Sequence, residues 1–182
     1  MQNDIERILI NQQTIEDKCE ELGNRISVDY AETKNKLLVI CLLNGSIPFF
    51  AQLIKSIDIE IEYDCISIKS YEGTKSCNIQ ILKDINAEVK NRDILLVEDI
   101  VDTGRTLGCV KALYTDRGAT SIKIVSLLNK PSRRTEEVLI DYCGFDIEDE
   151  YVVGYGMDYN QSYRNLPYIG ILKKEVYQSN GG

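Results

Sequence analysis

The chain has 182 residues, 43% of them hydrophobic and 27% charged, which is ordinary for one globular domain and disfavours a disordered chain. Its formal net charge of -8 disfavours a general nucleic-acid binder and an anionic membrane surface as a partner. The absence of histidine excludes Ser-His-Asp and Cys-His catalysis, so any chemistry falls to carboxylates, lysine, tyrosine and oxygen-ligated cations.

The cysteines and the N-terminal residues bear on the cell compartment. Six cysteines occur without a Cys-x-x-Cys spacing, so free thiols in a reducing compartment are the favoured interpretation, with a disulfide or a zinc site as the alternative. The N-terminal residues lack a basic and apolar leader, and no apolar run approaches the length of a membrane span. We therefore expect a cytoplasmic protein without a membrane partner.

The first part of the chain predicts a short apolar segment followed by an amphipathic helix. Residues 5–10 fit either a strand or a turn of helix, and the pattern does not decide between them. Thr14 is a candidate N-cap, and apolar residues from Ile15 to Ile26 recur at helical spacing behind it. We expect this helix to pack on the core and to carry no chemistry.

A strand, a glycine turn and a helix come next. Leu37–Leu43 is a continuous apolar run, Asn44-Gly45 breaks it, and apolar residues recur helically over 47–57. In open α/β folds, ligands bind at the carboxyl ends of parallel strands. The Asn44-Gly45 turn is therefore a candidate site loop, with a plain structural turn as the alternative.

Two strands joined by a polar segment are predicted after that. Residues 59–68 alternate, with a change of apolar phase near Cys65 that predicts a bulge or kink, and alternation resumes at Ile79. The polar, glycine-bearing residues 69–78 lie between them. An excursion of this kind is either a hairpin loop or a lid over a site.

The segment from Ile94 to Leu107 carries the densest chemistry. Its first four residues predict a strand buried on both faces, Glu98 and Asp99 stand at the strand end, and Asp102 follows. The Thr-Gly-Arg-Thr run that comes next offers hydroxyls, a guanidinium and the free amides of a helix start, which suits a phosphate monoester. Because three acids repel a bare phosphate, we expect them to face sugar hydroxyls, a divalent cation or a proton in transit.

Strand and helix patterns continue to alternate downstream. Helical spacing over 107–114, with Gly118 as a C-terminal cap, precedes a strand over 121–128. That strand ends in residues 129–134, a basic cluster that is either a solvated loop or a ligand contact at a strand end. A further strand is predicted over 138–142, before an acidic turn.

The last part of the chain is rich in tyrosine and glycine. Residues 151–159 read as an aromatic strand and loop, for which core packing is the simplest interpretation from the residues alone. Strand and helix signals alternate throughout without a repeat, so we expect a single α/β domain, 1–182, with a doubly wound, mainly parallel sheet and helices on both faces. A small hood would come from the chain ends, about 1–14 and 144–177.

The segment 98–106 resembles the phosphoribosyl-pyrophosphate signature of type I phosphoribosyltransferases. Its sequence, Glu-Asp-Ile-Val-Asp-Thr-Gly-Arg-Thr, is similar to that of the hypoxanthine-guanine branch. Residues 127–133 (Leu-Leu-Asn-Lys-Pro-Ser-Arg) and the aromatic stretch from Tyr151 also resemble motifs of that branch, in the family's order. The resemblance covers about residues 5–177. It implies Mg²⁺-dependent purine salvage, in which 5-phosphoribosyl passes from 5-phosphoribosyl 1-pyrophosphate to hypoxanthine and/or guanine. The products are IMP or GMP and pyrophosphate, and a homodimer or homotetramer is implied.

The resemblance also implies roles for the residues that meet the phosphoribosyl donor. Asp102 matches the general base that takes the purine N7 proton, and Glu98 and Asp99 match the acids that grip the ribose hydroxyls. Pyrophosphate would meet Gly45 and Arg164, together with Asn44, which stands where lysine or arginine is common in relatives. A non-proline cis peptide is implied at Leu43-Asn44. The residues matching the 5'-phosphate site are Asp102, Thr103, Gly104, Arg105 and Thr106.

For the base, the resemblance implies a purine pocket near the C-terminus. Lys130 would recognise the 6-oxo group and disfavour adenine, Tyr151 would stack on the base, and Val152 would offer backbone groups. Asp158 would meet the base region and magnesium, and the full set of metal-binding acids would be Glu98, Asp99 and Asp158. The pair Ser70-Tyr71 matches a mobile lid, about 69–78, that excludes water.

Two alternatives come from other functional classes. A non-catalytic regulator on the same fold, such as the pyrimidine-operon attenuation proteins, would bind RNA; the net charge of -8 and Lys130 count against it. A receiver-like phosphorylation switch also has acids at strand ends, but it does not need the Thr-Gly-Arg-Thr run. Within the enzyme class, a sibling acting on another base is the closer competitor, and the order of preference among hypoxanthine, guanine and xanthine stays open.

Overall fold

A computed structural model describes residues 1–70, 77 and 79–178. The strands are β1 (Ile5–Ile10), β2 (Leu37–Leu43), β3 (Ile61–Ser70), β4 (Ile79–Lys83), β5 (Asp93–Val101), β6 (Ser121–Asn129), β7 (Tyr142–Asp146), β8 (Val152–Val153) and β9 (Ile169–Leu172). The α-helices are α1 (Gln12–Asp29), α2 (Ile47–Leu53), α3 (Arg105–Asp116) and α4 (Lys174–Gln178). None of the helices within these ranges is both long enough and apolar enough to cross a membrane.

The larger sheet has six strands in the order β4-β3-β2-β5-β6-β7. Five of them run parallel, and only the edge strand β4 is antiparallel to its neighbour β3. The chain moves outward from β2 to β3 and then returns to β5 beside β2, so the order of strands reverses there. At such a reversal, the carboxyl ends of the two central strands leave a crevice between their loops. The mainly parallel, doubly wound sheet predicted from the sequence is confirmed.

Side chains of the central strand alternate between two hydrophobic layers. Leu95 and Val97 of β5 pack on the side that holds α1 and α2, and Ile94 and Leu96 pack on the side that holds α3. All four are fully buried, and burying each such side chain contributes about 1.5–3 kcal/mol to folding. The apolar run of β5 therefore has helices over both of its faces, which fixes the loop that follows it on a rigid support.

A second sheet is made from the two ends of the chain. Its three strands are antiparallel in the order β1-β9-β8, and the amide of Lys173 donates to the carbonyl of Asp4 at 2.9 Å. The Tyr163 hydroxyl also donates to the Asp4 carboxylate, at 3.0 Å. We call β1, β8, β9, α4 and the connecting segment between β8 and β9 the hood. Residues 5–10, which the pattern left undecided, form a strand.

Thr14 is not the N-cap of α1, because the helix begins at Gln12. Asn11 caps it instead, by accepting from the Thr14 amide at 2.9 Å.

Two predictions in the strands are also wrong. The strand predicted over 138–142 is displaced, because Val138 and Ile140 pack as an irregular segment against the layer that holds α3, and β7 begins only at Tyr142. The bulge predicted near Cys65 lies further along, since β2 and β3 pair without interruption and the register shifts between Ser67 and Ile68 against β4. In both places the apolar pattern reported burial correctly but not the strand pairing.

The cysteines depart in part from the free thiols favoured by their spacing. Cys77 and Cys109 form a disulfide, with their Cα atoms 5.5 Å apart. Their separation of 32 residues carries no spacing signal, because they meet only when α3 packs beside the chain that enters β4. Cys19, Cys41 and Cys143 remain free thiols, as does Cys65. Burial raises the pKa of Cys143 to about 11 and that of Cys19 to about 12.

Candidate active site

The loop between β5 and α3 is held in a fixed shape by the segment that follows β6. The Thr103 carbonyl accepts hydrogen bonds from the amides of Thr135 and Glu136, at 3.1 and 3.0 Å. Gly104 has φ of +84°, and a Cβ on it would lie 3.0 Å from the Glu136 carbonyl oxygen. Only glycine meets both conditions without strain. This tight turn starts α3 at Arg105, so the first amides of the helix lie at the strand end, where an anion can bind them.

One cleft lies at the carboxyl ends of β2, β3 and β5 and has a volume of about 210 Å³. The loop residues Thr103, Gly104 and Thr106 form one wall, and Glu98 and Asp102 are also in the lining. Arg105 is exposed beside them, with its amide 3.4 Å from the Thr103 hydroxyl. We call this the loop cleft. It brings the start of α3 together with two acids, the groups that the sequence predicted to contact a phosphorylated sugar, and that ligand stays a prediction.

Glu98 and Asp99 are joined through Ser46, the residue directly before α2. The Ser46 hydroxyl donates to Glu98 Oε1 at 3.3 Å and accepts from the Asp99 amide at 3.2 Å. Burial raises the pKa of Glu98 well above its usual range, and the neighbouring Asp99 carboxylate adds to the shift. Ser46 therefore holds the Glu98 carboxyl group and the Asp99 backbone in place, and Asp99 Oδ1 accepts from the Ile100 amide at 2.9 Å.

The turn after β2 lies directly against these acids. The Leu43-Asn44 peptide is cis, as the resemblance implied. Gly45 lies so close to Asp99 that a Cβ on it would overlap Asp99 Oδ2. The Asn44 side chain is exposed, and the Asn44 carbonyl accepts from the Ile47 amide at 3.3 Å. The turn has no cationic side chain, so its backbone amides are the groups that it can offer to an anion.

A second cleft, of about 280 Å³, lies between the same strand end and the hood. Lys130, Tyr151 and Val152 line it, together with Asp99 and Asp158. We call this the hood cleft. Lys130 is only 8% exposed, and its Nζ donates to the Glu150 carbonyl at 2.6 Å. Burial lowers the pKa of Lys130, which leaves a desolvated donor at the cleft wall.

Asp102 lines both clefts. One carboxylate oxygen accepts from the Thr103 amide, and Arg133 Nε lies 4.0 Å from the other. Its neighbour Ile100 also lines both clefts, so the two spaces meet at the turn after β5. A group bound in the loop cleft and a group bound in the hood cleft would therefore face one another across the Asp102 carboxylate.

The hood contributes one ion pair beside the hood cleft. Arg164 Nη2 lies 2.8 Å from Asp158 Oδ1, and Arg164 Nη1 donates to the Gly156 carbonyl at 2.7 Å. Gly156 has φ of +100°, and a Cβ on it would overlap the carbonyl oxygen of Gly45. The hood therefore packs against the turn after β2 at Gly156. This places Arg164 within the segment that contacts the Asn44-Gly45 turn.

The acids of the site fit a magnesium ion held mainly by substrate. Within the described part of the chain, no three acidic or thiol side chains converge as a metal cage. Asp99 and Asp158 nevertheless line the same cleft with hard carboxylate oxygens, and Glu98 is beside Asp99. Mg²⁺ commonly takes one or two carboxylates and completes its octahedron with phosphate oxygens and water.

Sequence reasoning found most of the lining but missed several contacts. No role was predicted for Ser46 or Gly156 from the sequence. Ser46 forms hydrogen bonds to both Glu98 and Asp99, and Gly156 is the point where the hood packs against Gly45. Arg133 and Met157 also line the hood cleft. Of these, Gly156 had a readable signal, since a glycine two residues after another glycine in a tyrosine-rich strand indicates a close backbone approach. The predicted lid, 69–78, lies mostly outside the described residues, Tyr71 included, and nothing is described of the Ser70 side chain.

Comparison with known proteins agrees with this geometry. The family model for the phosphoribosyl transferase domain matches residues 7–160. A hypoxanthine-guanine phosphoribosyltransferase from Lactococcus lactis is 50% identical over 175 residues, which cover 95% of this chain and 94% of the relative. One from Bacillus subtilis is 46% identical over 181 residues, covering 98% and 99%. The crystal structure of a hypoxanthine phosphoribosyltransferase from Staphylococcus aureus matches with a TM-score of 0.92 at 42% identity, covering 97% and 96% of the two chains. This chain belongs to the phosphoribosyltransferase family, in its hypoxanthine-guanine branch.

Proposed function

We propose that this protein transfers 5-phosphoribosyl from 5-phosphoribosyl 1-pyrophosphate to N9 of hypoxanthine and/or guanine, with Mg²⁺, giving IMP or GMP and pyrophosphate. The observation that carries the proposal is the position of Asp102, whose side chain lines both the loop cleft and the hood cleft. A transferase must hold a donor and an acceptor so that the reacting atoms face one another. Two clefts that meet at one carboxylate provide that arrangement.

The donor's ribose 5-phosphate fits the loop cleft. The 5'-phosphate accepts from the amides and hydroxyls of the turn formed by Asp102, Thr103, Gly104, Arg105 and Thr106, at the N-terminus of α3. Glu98 and Asp99 accept from the ribose hydroxyls. Because the phosphate is remote from the reacting carbon, its binding energy serves to position that carbon for attack.

Pyrophosphate fits the place where the hood meets the turn after β2. The backbone amides at Asn44 and Gly45 and the guanidinium of Arg164 are the donors at that place. Asp99 and Asp158 would hold Mg²⁺ together with substrate oxygens, with Glu98 beside them. When bound there, Mg²⁺ neutralises negative charge on the leaving pyrophosphate.

The purine base fits the hood cleft. Lys130 donates to the 6-oxo group, the Tyr151 ring stacks on the base, and Val152 and Asp158 meet its edge. A desolvated ammonium group donates to a 6-keto oxygen but finds no acceptor in a 6-amino group, so adenine is a poor substrate. The Lys130 ammonium already donates to the Glu150 carbonyl at 2.6 Å, which fixes its direction.

The chemistry needs a proton acceptor and an environment that tolerates positive charge. As the bond from C1 of ribose to pyrophosphate breaks, positive charge develops on the ring, and the carboxylates of Glu98 and Asp99 stabilise it. The bond from C1 to N9 then forms, and Asp102 takes the proton from purine N7. A lid at 69–78, through Ser70 and Tyr71, would exclude water from the reacting carbon.

The test is nucleotide formation followed by ultraviolet absorbance, with 5-phosphoribosyl 1-pyrophosphate, Mg²⁺ and one base at a time. The bases are hypoxanthine, guanine, xanthine, adenine and uracil. Turnover confined to the 6-oxopurines supports the proposal and ranks the bases. No turnover with any base by folded protein overturns it, and a shift of operon leader RNA in a gel would then favour an RNA-binding regulator.

We also propose that the working form is a homodimer or homotetramer. Tyr63 of β3 and Leu82 of β4 are each 60% exposed on the outer strands of the main sheet, where a second copy can cover them. Light scattering during size-exclusion chromatography measures the mass of the particle directly. A single species of 20.7 kDa at micromolar concentration would overturn this part of the proposal.

A further inference from the structure

Three tyrosine rings form a cluster at the edge of the hood cleft. The Tyr151 ring stacks on Tyr177, with ring centroids 4.9 Å apart and planes inclined by 23°. Tyr159 meets Tyr151 edge to face, with centroids 5.5 Å apart and an angle of 88°. Offset stacks and edge-to-face contacts of this kind are each worth about 0.5–1.5 kcal/mol beyond burial. The orientation of Tyr151 is therefore determined by two other rings.

Tyr177 stacks on one face of Tyr151 and lies outside the lining of the hood cleft. Tyr151 lines the hood cleft with Val152 and Asp158, whereas Tyr177 and Tyr159 do not line it. Even with two aromatic neighbours, Tyr151 is 38% exposed. A ring that lines the cleft, stays partly exposed and is stacked by a residue outside the lining leaves room for a base on the face that Tyr177 does not cover.

The backbone explains why Tyr177 reaches this place. The Leu172 amide donates to the Tyr151 carbonyl at 2.8 Å, and Val152 pairs with Ile171 in the hood sheet. The chain therefore leaves β9 directly beside Tyr151 and enters α4. A helix of five residues is too short to be stable alone, so α4 depends on the packing of Val176 and Tyr177 against the hood.

We propose that Tyr177 is a positioning residue for the base: it backs the Tyr151 ring and holds its open face in the orientation that a purine meets. The inference rests on the proposed stacking role of Tyr151. Fixing a ring before binding removes an ordering cost that each incoming base otherwise carries. Tyr177 therefore acts on base affinity, and it has no contact with the loop cleft through which it could act on the phosphoribosyl donor.

The experiment measures KM for hypoxanthine, KM for 5-phosphoribosyl 1-pyrophosphate and kcat in a set of variants. Tyr177→Ala is expected to raise the base KM about two- to ten-fold, with the donor KM and kcat within two-fold of wild type. Tyr177→Leu keeps apolar packing on α4 but has no flat ring, so it should raise the base KM similarly, and it serves if the alanine variant does not fold. Tyr177→Phe restores the ring and should behave as wild type.

The matched control is Lys174→Ala, an exposed position on the same helix, which should leave all three parameters unchanged. An unchanged base KM in both Tyr177→Ala and Tyr177→Leu overturns the inference. So does an equal rise in both KM values, which would indicate general damage to the hood, or a fall in base KM, which would indicate that Tyr177 competes with the base.

Tyr151→Ala, measured in parallel, separates this inference from the proposed function. If wild type turns over and Tyr151→Ala raises the base KM while the Tyr177 variants do not, only the inference fails. If wild type turns over and Tyr151→Ala leaves the base KM unchanged, the stacking role of Tyr151 fails and the inference falls with it. Absence of turnover by wild type overturns both.

Discussion

The two clefts that meet at Asp102 are built in different ways. The loop cleft takes its acids and its anion-binding turn from one continuous segment, 98–106, fixed at the end of a strand that is buried on both faces. The hood cleft takes its lining from the ends of β5 and β6 and from the hood, so residues 99 and 158 meet only in the folded chain. The first can be recognised as a motif; the second depends on how distant segments pack.

This difference predicts different sensitivities to mutation. In the loop cleft, the functional groups come from one segment whose turn is held by hydrogen bonds, such as those from the Thr135 and Glu136 amides to the Thr103 carbonyl. A substitution of a side chain there should therefore change chemistry more than folding. In the hood cleft, geometry is set by close packing between segments, as where Gly156 meets Gly45, so a substitution there should change folding and binding together. The following substitutions test that distinction.

The largest expected effect is on catalysis, at the carboxylate common to both clefts. Asp102→Asn should lower kcat by about 10²–10⁴-fold, because an amide cannot accept the purine proton. The KM for 5-phosphoribosyl 1-pyrophosphate and the melting temperature should stay close to wild type. Asp116→Asn, which removes the same charge from the exposed far end of α3, is the control. Parallel loss of donor binding and rate would instead make Asp102 an anchoring group.

The next effect concerns the disulfide, which ties the chain before β4 to α3. Reduction, or Cys77→Ser, should lower the free energy of unfolding by about 2–4 kcal/mol, because the closed loop restricts the unfolded chain. Urea unfolding with and without reductant measures the difference, and Cys143→Ser is the matched control at a free thiol. Alkylation of denatured, unreduced protein should label four of the six cysteines. Six labels would contradict the bond.

In the hood, Gly156→Ala should lower the free energy of unfolding by about 1–3 kcal/mol, because the added methyl group overlaps the Gly45 carbonyl at a positive φ. It should also raise the KM for the phosphoribosyl donor, since the hood and the pyrophosphate turn are pushed apart. Gly108→Ala is the control: it lies within α3, where a Cβ would first meet Val138 at 3.9 Å. That change should stabilise the protein by about 0.5–1 kcal/mol. Equal thermal stability of the two variants would contradict the contact between hood and turn.

The sequence was sufficient for features that depend on local chemistry or on burial. The run from Ile94 to Val97 predicted a doubly covered strand, and the acids and Thr-Gly turn after it predicted a site for a phosphorylated sugar. The strand prediction is confirmed, because a parallel strand covered on both faces needs an unbroken apolar run. The acids and the helix start do lie together, and the phosphorylated sugar as their ligand stays a prediction. Family resemblance then indicated Lys130 and Tyr151 before the folded chain placed them in one cleft.

Features that depend on contacts between residues far apart in the sequence were not predictable in this way. Val138 and Ile140 have the pattern of a strand, but they pack as an irregular segment because β7 pairs with β6 only from Tyr142 onward. Cys77 and Cys109 give no spacing signal, and the stack of Tyr177 on Tyr151 joins residues from separate elements. Register and packing between segments decide these cases, and single residues do not encode them.

The smallest expected effect is an increase in the free energy of unfolding caused by a substitution in the loop cleft, at Glu98. Glu98 is a half-buried acid whose pKa is raised by desolvation and by the neighbouring Asp99, so the folded state disfavours its ionised form. Glu98→Gln should therefore increase the free energy of unfolding by about 0.5–2 kcal/mol at pH 7 while it weakens binding of the ribose hydroxyls.

The pH dependence gives this prediction its sign. Below the ordinary glutamic acid pKa of 4.5, Glu98 is protonated in both the folded and the unfolded chain, so the variant and wild type should unfold at similar free energies. As the pH rises above 4.5, the unfolded chain ionises first, and the wild-type protein loses stability that the glutamine variant keeps. The difference should therefore grow with pH until the folded-state carboxyl also ionises, and urea unfolding at a series of pH values measures it. A gain of the same size at low and neutral pH would show that the Glu98 pKa is alike in the folded and unfolded chains, so that packing rather than ionisation accounts for the gain.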